Sequence, residues 1–521
     1  MNTITRLGIP VYIGVVAALS AEQAAAVAAD RPNVLFIAVD DLRPDLGCYG
    51  NTEVKSPNID KLAAGGTTFL RAYCQQAVCS PSRTSLLLGR RPDTTRIYDL
   101  NTHFRLNLPD VVTLPEQFKK NGYHTQGLSK IYHGGLDDPQ SWSVPHWEPK
   151  TPAYISPEIN ARLEAKRAQI RAEGKPEGRA VLERDPKTAL VLRTTGPRNR
   201  VNGPAWEAPD VADNAFNDGQ TADRAVEALR QIKDKSFFLA VGFHKPHLPF
   251  VAPKRYYDLY LLPALRLATN GYPPKDAPDA AMSNWGELRA YEGMAGSGPL
   301  SEQQNRELVR GYRATTSYVD AQIGRVLDEL ERLDLTDRTI VVLWGDHGWH
   351  LGEHGLWCKH TNFEVATRSP LILRAPKGAA GVKTNTLVEF VDIYPTLCEL
   401  CGIPLPQGLE GTSMAPLLRQ PDQTWKPAAF SQFPRPGNIM GYSMRTDRYR
   451  YTEWVQHEKG EPRGDFASGA SPDAKFVGVE LYDHKADPDE NVNLANQPDA
   501  KATTAELAKM LHGGWKAAVP R

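Results

Sequence analysis

The chain has 521 residues, of which 41% are hydrophobic and 23% are charged, an ordinary composition for a globular protein with one large and one smaller domain, or with three ordinary domains. Its 61 lysines and arginines balance 61 aspartates and glutamates, so the formal net charge is zero. This balance argues against a nucleic-acid-binding protein and against a basic protein of membrane surfaces.

The first 29 residues form a segment of their own. Arg6 precedes an apolar stretch, LGIPVYIGVVAALSA, and small residues around Ala28 offer a cleavage site. We expect residues 1–29 to be a secretory signal peptide, with an uncleaved N-terminal anchor as the alternative. A secreted or periplasmic location would follow. No later stretch of the sequence is long and apolar enough to predict a transmembrane segment.

Beyond the leader, short apolar runs alternate with amphipathic stretches. Buried strands are predicted at 34–39, 236–243, 339–345 and 370–375, with a weaker one at 125–131. Helical patterns lie between them at 57–66, 114–122, 218–234 and 301–334. This alternation predicts an α/β fold with a large, mostly parallel sheet that is flanked by helices on both faces.

Two parts of the chain depart from this alternation. Residues 135–210 are rich in Pro, Arg, Glu and Lys and contain a charged helical pattern at 158–173, which predicts an inserted surface segment and possible lid. After about Gln423, GYSMRTDRYRYTEW and VELYDHKADPDE predict the antiparallel strands of a smaller α+β subdomain. We therefore expect a main domain over 30–423 and a C-terminal subdomain over 424–521.

Six cysteines are too few for a disulfide framework in a chain of this length. Cys398 and Cys401 lie in YPTLCELCGIP, a pattern typical of a helix that ends at Gly402. A redox-active pair is one interpretation of their spacing. Ordinary helix-packing cysteines are the other, and the favoured one.

Polar side chains follow four of the predicted strands at the point where each strand ends. In chain order they are Asp40 and Asp41, Lys130 and His133, the stretch His244-Lys245-Pro246-His247, and Asp346 and His347. Any one of these groups alone would be read as turn residues or helix caps. Because ligands bind beyond the carboxyl ends of the strands in open parallel sheets, we expect the four groups to meet in one crevice.

The two signs of charge in this set predict two ligands. Asp40, Asp41 and Asp346 would repel one another in a crevice unless they bound a hard divalent cation, Ca²⁺ or Mg²⁺ rather than zinc. His347 or a neighbouring amide would complete the ligand shell. An anionic group would lie against that cation, surrounded by Arg83, Lys130, His133, His244 and Lys359.

The stretch CSPSRTSLLLGR carries the most informative cysteine, Cys79. Pro81 and Ser82 suit the first turn of a helix through TSLLLG, so Cys79 is predicted just before the helix N-terminus. Exposed amides and the helix dipole favour negative charge there, where a plain thiolate would be an activated nucleophile. A buried structural cysteine would need apolar neighbours, whereas Ser80 and Arg83 are polar.

Cys-x-Pro-Ser-Arg followed by Leu-x-Gly-Arg resembles the signature of the sulfatases, in which the cysteine is oxidised to formylglycine by a separate maturation enzyme. Similar stretches are RPNVLFIAVDDLRPDLGCYG, GYHTQGLSKIYH, FFLAVGFHKPHLPF and LWGDHGWHLGEHGLWCKHTNFEVATRSPL. The similarity runs from Arg31 to about Leu418 and is weaker beyond. Within the family, CQQAVCSPSR, SQFPRP, MGYSMRTDRYRYTEW and ELYDHKADP are most similar to the iduronate-2-sulfatase branch.

The resemblance implies a role for each matching residue. The positions that bind one calcium ion match Asp40, Asp41, Cys79, Asp346 and His347. Arg83 matches the residue that holds the formylglycine derived from Cys79. The groups that bind sulfate and the leaving oxygen match Lys130, His133, His244 and Lys359. Family calcium sites often have Asp-Asn where this chain has Asp346-His347, a departure that fits the iduronate-type branch. His350 matches no family pattern and receives no role.

The resemblance also implies an alkaline-phosphatase-like fold and hydrolysis of a sulfate ester. Hydrated formylglycine is a geminal diol, one hydroxyl of which, made acidic by Ca²⁺, attacks sulfur while a basic side chain protonates the leaving alcohol. The covalent sulfate ester is released when the remaining hydroxyl collapses to the aldehyde. A serine could take the first step but would stall at the ester.

The branch resemblance suggests a sulfated saccharide as substrate, in particular a uronic acid such as iduronate 2-sulfate. Its carboxylate needs a cationic partner, because an unpaired carboxylate is costly to desolvate. Arg435, predicted in a loop that enters the C-terminal subdomain, is the candidate, with a solvated loop residue as the alternative. The alternative functions are a phosphonate or phosphate ester hydrolase on the same scaffold and a non-catalytic binder of sulfated glycans.

Overall fold

The computed structural model describes residues 31–173, 181–184, 191–195, 201–458, 466 and 474–520. The expected signal peptide, residues 1–29, lies outside the described residues. Across those described ranges, none of the helices combines the length and the apolar character that a membrane crossing requires.

A seven-stranded sheet forms the centre of the molecule. In spatial order its strands are Val382–Glu389, Thr67–Tyr73, Leu371–Arg374, Thr339–Gly345, Asn33–Val39, Phe237–Phe243 and His124–Ser129. Leu371–Arg374 runs antiparallel to both of its neighbours, and every other pairing is parallel. The mostly parallel sheet and its five predicted strands are therefore confirmed. The strands at 67–73 and 382–389 were missed because TTFLRAY and VKTNTLVE mix polar with apolar residues.

Helices cover both faces of this sheet, as the sequence predicts. Cys79–Leu88, Leu114–Lys120 and Ile393–Leu400 pack on one face, and Pro57–Ala64, Asn217–Ile232 and Glu302–Arg332 pack on the other. The Asn33–Val39 strand contacts both layers, because successive side chains of a strand point to opposite faces. Phe36 belongs to the first apolar core, and its neighbour Ile37 belongs to the second.

Shorter elements complete the main part of the chain. The predicted charged helix is confirmed as Pro157–Ala172, and the hairpin strands Val181–Arg184 and Val191–Thr195 follow it. Short strand pairs join Trp206–Glu207 to Phe250–Val251 and His350–Leu351 to Trp357–Cys358. Four-residue helices are Pro92–Thr95, Lys254–Tyr257, Gly286–Arg289 and Glu364–Thr367. The lid role of 135–210 stays a prediction.

A four-stranded antiparallel sheet lies in the C-terminal part of the chain. It consists of Ala428–Arg435, Ile439–Thr446, Tyr449–Gln456 and Lys475–Asp483, and the Lys501–Ala517 helix packs on it. The predicted α+β subdomain is confirmed, whereas its boundary at 423/424 stays a prediction. The first strand corrects one expectation: Arg435 ends a strand, paired with Ile439, and does not lie in a loop.

Candidate active site

Polar residues collect at the carboxyl edge of the large sheet, where backbone hydrogen bonds continue beyond the strands. Asp40 donates its N–H to the carbonyl of Phe243 at 3.1 Å, and Asp346 donates to Val39 at 3.2 Å. Lys130 donates in the same way to Gly242 at 3.3 Å. The sheet itself therefore fixes where these side chains start, although they are far apart in sequence.

Three carboxylates form the floor of the site. Asp40, Asp41 and Asp346 are fully buried. Asp41 lies in the left-handed region of backbone conformation, with φ 60°. Its N–H donates to Oδ1 of Asp346 at 2.9 Å, and its carbonyl accepts from the Tyr312 hydroxyl at 2.8 Å. Buried carboxylates this close repel one another, so the arrangement requires positive charge.

Three basic side chains supply that charge. Arg83, also fully buried, donates from NH2 to Oδ1 of Asp40 and from Nε to Oδ2 of Asp346, both at 2.9 Å. The Lys130 ammonium contacts the other oxygen of Asp40. The Lys359 ammonium lies 2.9 Å from both carboxylate oxygens of Asp41. Each carboxylate of the floor thus has a basic partner.

The two adjacent aspartates differ in their readiness to ionise. Burial opposes ionisation of Asp40, but the nearby charges of Lys130 and Arg83 outweigh it and hold its pKa well below the usual range. Burial raises the pKa of Asp41 to about 7, against the attraction of Lys359.

Cys79 lies directly against this floor. It is the first residue of the Cys79–Leu88 helix, so the helix begins earlier than Pro81 and Ser82 suggested. Its Sγ is 3.5 Å from Nε2 of His347 and 4.0 Å from Oδ1 of Asp41. Burial first, and the charge of Asp40 second, raise the pKa of the Cys79 thiol well above its usual value. Without a cation on the floor, these surroundings favour the thiol of the unmodified side chain over the plain thiolate.

The donor atoms of this floor are close enough to share one metal ion. One ligand atom each from Asp40, Asp41, Cys79 and His247 lie within 4.8 Å of one another, and those of Cys79, Asp346 and His347 do so as well. Carboxylate oxygens dominate the set, which suits a hard cation such as Ca²⁺. The predicted metal ligands are therefore together in space.

Further basic residues border a pocket of about 170 Å³ beside Lys130. His133 and His244 both line it. Burial, followed by the charge of Lys130, lowers the pKa of His133 well below its usual value, and its buried Nδ1 has no hydrogen-bond partner in the described part of the chain. His244 is more open, with Nδ1 3.3 Å from the Ser129 hydroxyl, and its backbone N–H donates to Asp218 at 2.8 Å.

Comparison with known proteins identifies the family. Residues 32–403 match the family described as Sulfatase, and residues 352–462 match the one described as N-sulphoglucosamine sulphohydrolase, C-terminal. The chain belongs to the sulfatase family. It is accordingly a sulfuric ester hydrolase, as the sequence predicted.

Individual relatives agree with this assignment. Iduronate 2-sulfatase of Mus musculus is 36% identical over 88% of this chain and 91% of its own length, and that of Homo sapiens is 34% identical over 91% and 94%. A solved enzyme in complex with its substrate D-glucosamine-2-N,6-O-disulfate superposes with a TM-score of 0.67 at 22% identity, over 93% of this chain and 98% of that one. The phosphonate monoester hydrolase of Agrobacterium radiobacter superposes with the same score at 23% identity, over 94% and 96%. These solved structures confirm the alkaline-phosphatase-like fold.

Two residues beside the floor received no role from the sequence. His247 faces the floor: its Nε2 is 3.8 Å from Asp41 and 3.1 Å from Glu287. Glu287 also lies 3.1 Å from the Lys359 ammonium. The stretch HKPH offered both histidines, but Glu287 stands in NWGELR, which carries no recognisable motif.

The backbone around Lys359 is unusual. Cys358 and His360, on either side of it, both lie in the left-handed region, with φ 69° and 79°. Side chains other than glycine rarely adopt this conformation, and such strain concentrates at functional sites. The Lys359 ammonium also lies 4.8 Å from the centre of the Trp349 ring. The fold thus directs this lysine towards Asp41 at a local conformational cost.

Arg435 lies on the same side of the site as Lys359. Its guanidinium donates to four backbone carbonyls, those of Ala280 at 2.7 Å, His360 at 2.9 Å, Ala281 at 3.1 Å and Pro434 at 3.4 Å. It also lies 5.0 Å from the centre of the Trp454 ring, and burial lowers its pKa to about 10. Arg435 is half-buried and anchored, which contradicts the interpretation as a solvated loop residue. Its role in substrate binding stays a prediction.

The structure also shows what surrounds the remaining cysteines, His350 and a buried acidic cluster. All six cysteines are buried and free, and Cys398 and Cys401 pack in the apolar core, as the favoured interpretation predicted. His350 is buried, with Nε2 2.9 Å from the Thr361 hydroxyl. The acidic cluster of Glu364 and Glu490 surrounds Arg450, which donates to them at 2.6 and 2.7 Å. With His484, which lies 3.0 Å from Glu490, these residues form a buried ion network.

Proposed function

We propose that this sulfatase removes sulfate from a sulfated sugar, a uronic acid such as iduronate 2-sulfate, with a formylglycine derived from Cys79 and one calcium ion. The observation that carries the proposal is the position of Cys79. Its Sγ lies against His347 and Asp41, and Lys359 stands over the same carboxylate. A nucleophile at this position would lie close both to a cation bound by the floor and to the basic groups that we assign to the anion.

The residues present fit a hard divalent cation. Asp40, Asp41, Asp346 and His347 would hold it, with residue 79 as a further ligand. A bound Ca²⁺ would lower the pKa of an oxygen nucleophile at residue 79 and polarise the sulfate. Arg83 bridges Asp40 and Asp346 and holds one oxygen of each carboxylate in place.

The surroundings of Cys79 support its oxidation as the route to an active nucleophile. A thiol whose pKa is raised by burial and by Asp40 is a poor nucleophile. A hydrated aldehyde at this position would offer two hydroxyls, one to attack sulfur and one to release the product. The maturation enzyme that introduces the aldehyde is therefore a required partner.

The basic side chains would bind the sulfate group and protonate the leaving alcohol. Lys130 and Lys359, each paired with one aspartate of the floor, can turn towards sulfate once a cation neutralises Asp40 and Asp41. His133, His244 and His247 lie near the same edge and can bind sulfate oxygens or protonate the leaving alcohol. Burial keeps His133 neutral, so it can donate one proton and accept another bond.

The substrate class rests on two observations. The relatives at 34–36% identity are iduronate 2-sulfatases, whose names specify a sulfated uronic acid. Arg435 is a cation whose direct hydrogen bonds within the described residues are to neutral carbonyls, so its charge can attract a substrate carboxylate.

We infer a secreted or periplasmic enzyme from the leader at 1–29, and a main catalytic unit over 30–423.

A substrate screen tests the proposal. Purified protein with matured Cys79 should release inorganic sulfate from a 2-sulfated uronate disaccharide faster than from neutral sulfated hexoses. Phosphonate and phosphate monoesters in the same screen test the alternative chemistry. Release from neutral sugars alone would remove the uronate assignment. Failure of matured protein to hydrolyse any sulfate ester in the panel would overturn the proposed reaction.

A further inference from the structure

The carboxylate of Glu287 contacts two basic groups of the site at once. Its Oε1 is 3.1 Å from Nε2 of His247, and its Oε2 is 3.1 Å from the Lys359 ammonium. Neither the sequence signature nor the expected cation and anion sites assign this residue a role. About a fifth of its side chain is exposed, so it stands at the open face of the buried floor.

Glu287 is held firmly in this position. It belongs to the short Gly286–Arg289 helix, whose neighbouring side chains Trp285 and Leu288 are buried in an apolar core. Burial opposes its ionisation, but the charges of Lys359 and His247 outweigh it and hold the pKa of Glu287 well below its usual value. The residue is therefore a fixed negative charge beside two residues that face the anion.

His247 is constrained at every polar atom. Lys245 donates from Nζ to the His247 carbonyl at 2.8 Å, and Nδ1 of His247 is 2.6 Å from the Leu248 carbonyl. Its Nε2 is left with Glu287 at 3.1 Å and Asp41 at 3.8 Å. Because Asp41 is an expected metal ligand, Glu287 is the carboxylate that stays with His247 when a cation occupies the floor.

The same argument holds for Lys359. Its ammonium is shared between Asp41, at 2.9 Å, and Glu287, at 3.1 Å. A cation on Asp41 would repel this ammonium and withdraw one of its two carboxylate partners. Without Glu287, the lysine would keep Asp41 as its one carboxylate partner among the described residues and would compete with the metal for it.

We propose that Glu287 is a positioning residue of this site: its carboxylate holds the Lys359 ammonium and the His247 ring at the open face of the floor, where the sulfate group binds, while Asp41 serves the cation. This inference rests on the proposed function. It requires no contact between Glu287 and the substrate. Negative charge at position 287 would then strengthen the binding of an anion, the reverse of its direct electrostatic effect.

The test therefore asks whether removing the negative charge of Glu287 weakens the binding of an anion. In matured enzyme, Glu287→Gln should lower kcat/KM for a sulfated sugar by about ten- to a hundredfold, the loss expected for charged hydrogen bonds to two groups. It should also weaken inorganic sulfate as a competitive inhibitor and weaken calcium binding measured by titration calorimetry. Glu287→Asp, which keeps the charge, should recover part of each loss. Glu292→Gln, in the same segment but paired with Arg162, is the matched control and should match the wild type.

Each outcome decides the inference. Tighter or unchanged sulfate inhibition in Glu287→Gln would mean that the residue acts only as a nearby charge, and would overturn it. Glu287→Asp behaving no better than Glu287→Gln would also overturn it. A wild-type enzyme without activity on sulfate esters would instead defeat the proposed function, so the two failures are distinguishable.

Discussion

Arg83 and Asp346 form a fully buried ion pair, with Nε of the arginine 2.9 Å from Oδ2 of the aspartate. The same guanidinium reaches Asp40 through NH2 and the Ile131 carbonyl through NH1. One planar group thus connects the carboxyl ends of three strands to the helix that carries Cys79. A lysine has one donor nitrogen and cannot make these contacts together.

The first prediction follows from this geometry. Arg83→Lys should lower kcat/KM by about a hundredfold or more, because the two carboxylates lose their common partner. Steady-state kinetics on matured protein measures the loss. Arg90→Lys is the control, since Arg90 lies just after the same helix and donates from NH2 to the Gln407 carbonyl. Equal kinetics in the two variants would contradict the bridging role.

The second prediction concerns the modification of Cys79. Active preparations should contain the aldehyde in the peptide that spans residue 79, as measured by mass spectrometry. Cys79→Ala should abolish turnover, and Cys79→Ser should release at most one equivalent of alcohol because its sulfate ester cannot collapse. Cys398→Ala, in the apolar core, should retain turnover. A fully active Cys79→Ala protein would end the formylglycine interpretation.

The third prediction concerns the cation. Asp40→Asn removes one carboxylate ligand and should lower the bound calcium, measured by elemental analysis. It should also lower kcat by about a hundredfold or more. Exhaustive chelation of the wild type should have the same effect, and added Ca²⁺ should restore activity better than Zn²⁺. A metal-free wild type with full activity would exclude this role for the floor.

Much of the fold and part of the site were predictable for one physical reason. Strands buried on both faces appear in the sequence as continuous apolar runs, and the polar residue after each run marks the edge of the sheet. Asp40, Lys130 and Asp346 were found in this way. The strand at 67–73 was not, because its polar residues interrupt the run.

The remaining site residues depend on the paths of loops, which local sequence does not specify. His244 and His247 stand three residues apart, and only the course of the loop decides which ring faces Asp41. Glu287 reaches the site from a segment with no regular pattern. Arg435 was expected in a loop that enters the C-terminal subdomain, whereas it ends a strand and pairs with Ile439.

The fourth prediction concerns stability rather than catalysis. Arg450 is buried between Glu364 and Glu490 and ties the C-terminal sheet to the main part of the chain. Glu364 keeps Arg445 and Glu490 keeps His484, so Arg450→Met should lower the free energy of unfolding by about 1.5–3 kcal/mol, the contribution of charged hydrogen bonds. Urea unfolding measures the change. Lys61→Met removes an ion pair with Glu331 in which both side chains are exposed, and should have little effect. Similar losses in the two variants would contradict this argument.

The last prediction addresses the choice of substrate through Arg435. Arg435→Ala should lower kcat/KM for a sulfated uronate by about ten- to a hundredfold, the loss expected from one charged hydrogen-bonding partner, and affect a neutral sulfated hexose far less.

The four carbonyl bonds of Arg435 require a structural control. Arg435→Lys keeps the charge but loses the planar fork, so it should retain part of the preference for the uronate. Thermal unfolding of both variants shows how far the loops at Ala280 and His360 depend on these bonds. A loss of kcat/KM that is equal for the two substrates would assign Arg435 to the support of these loops. A loss confined to the uronate, with unfolding unchanged, would place the substrate carboxylate beside the guanidinium.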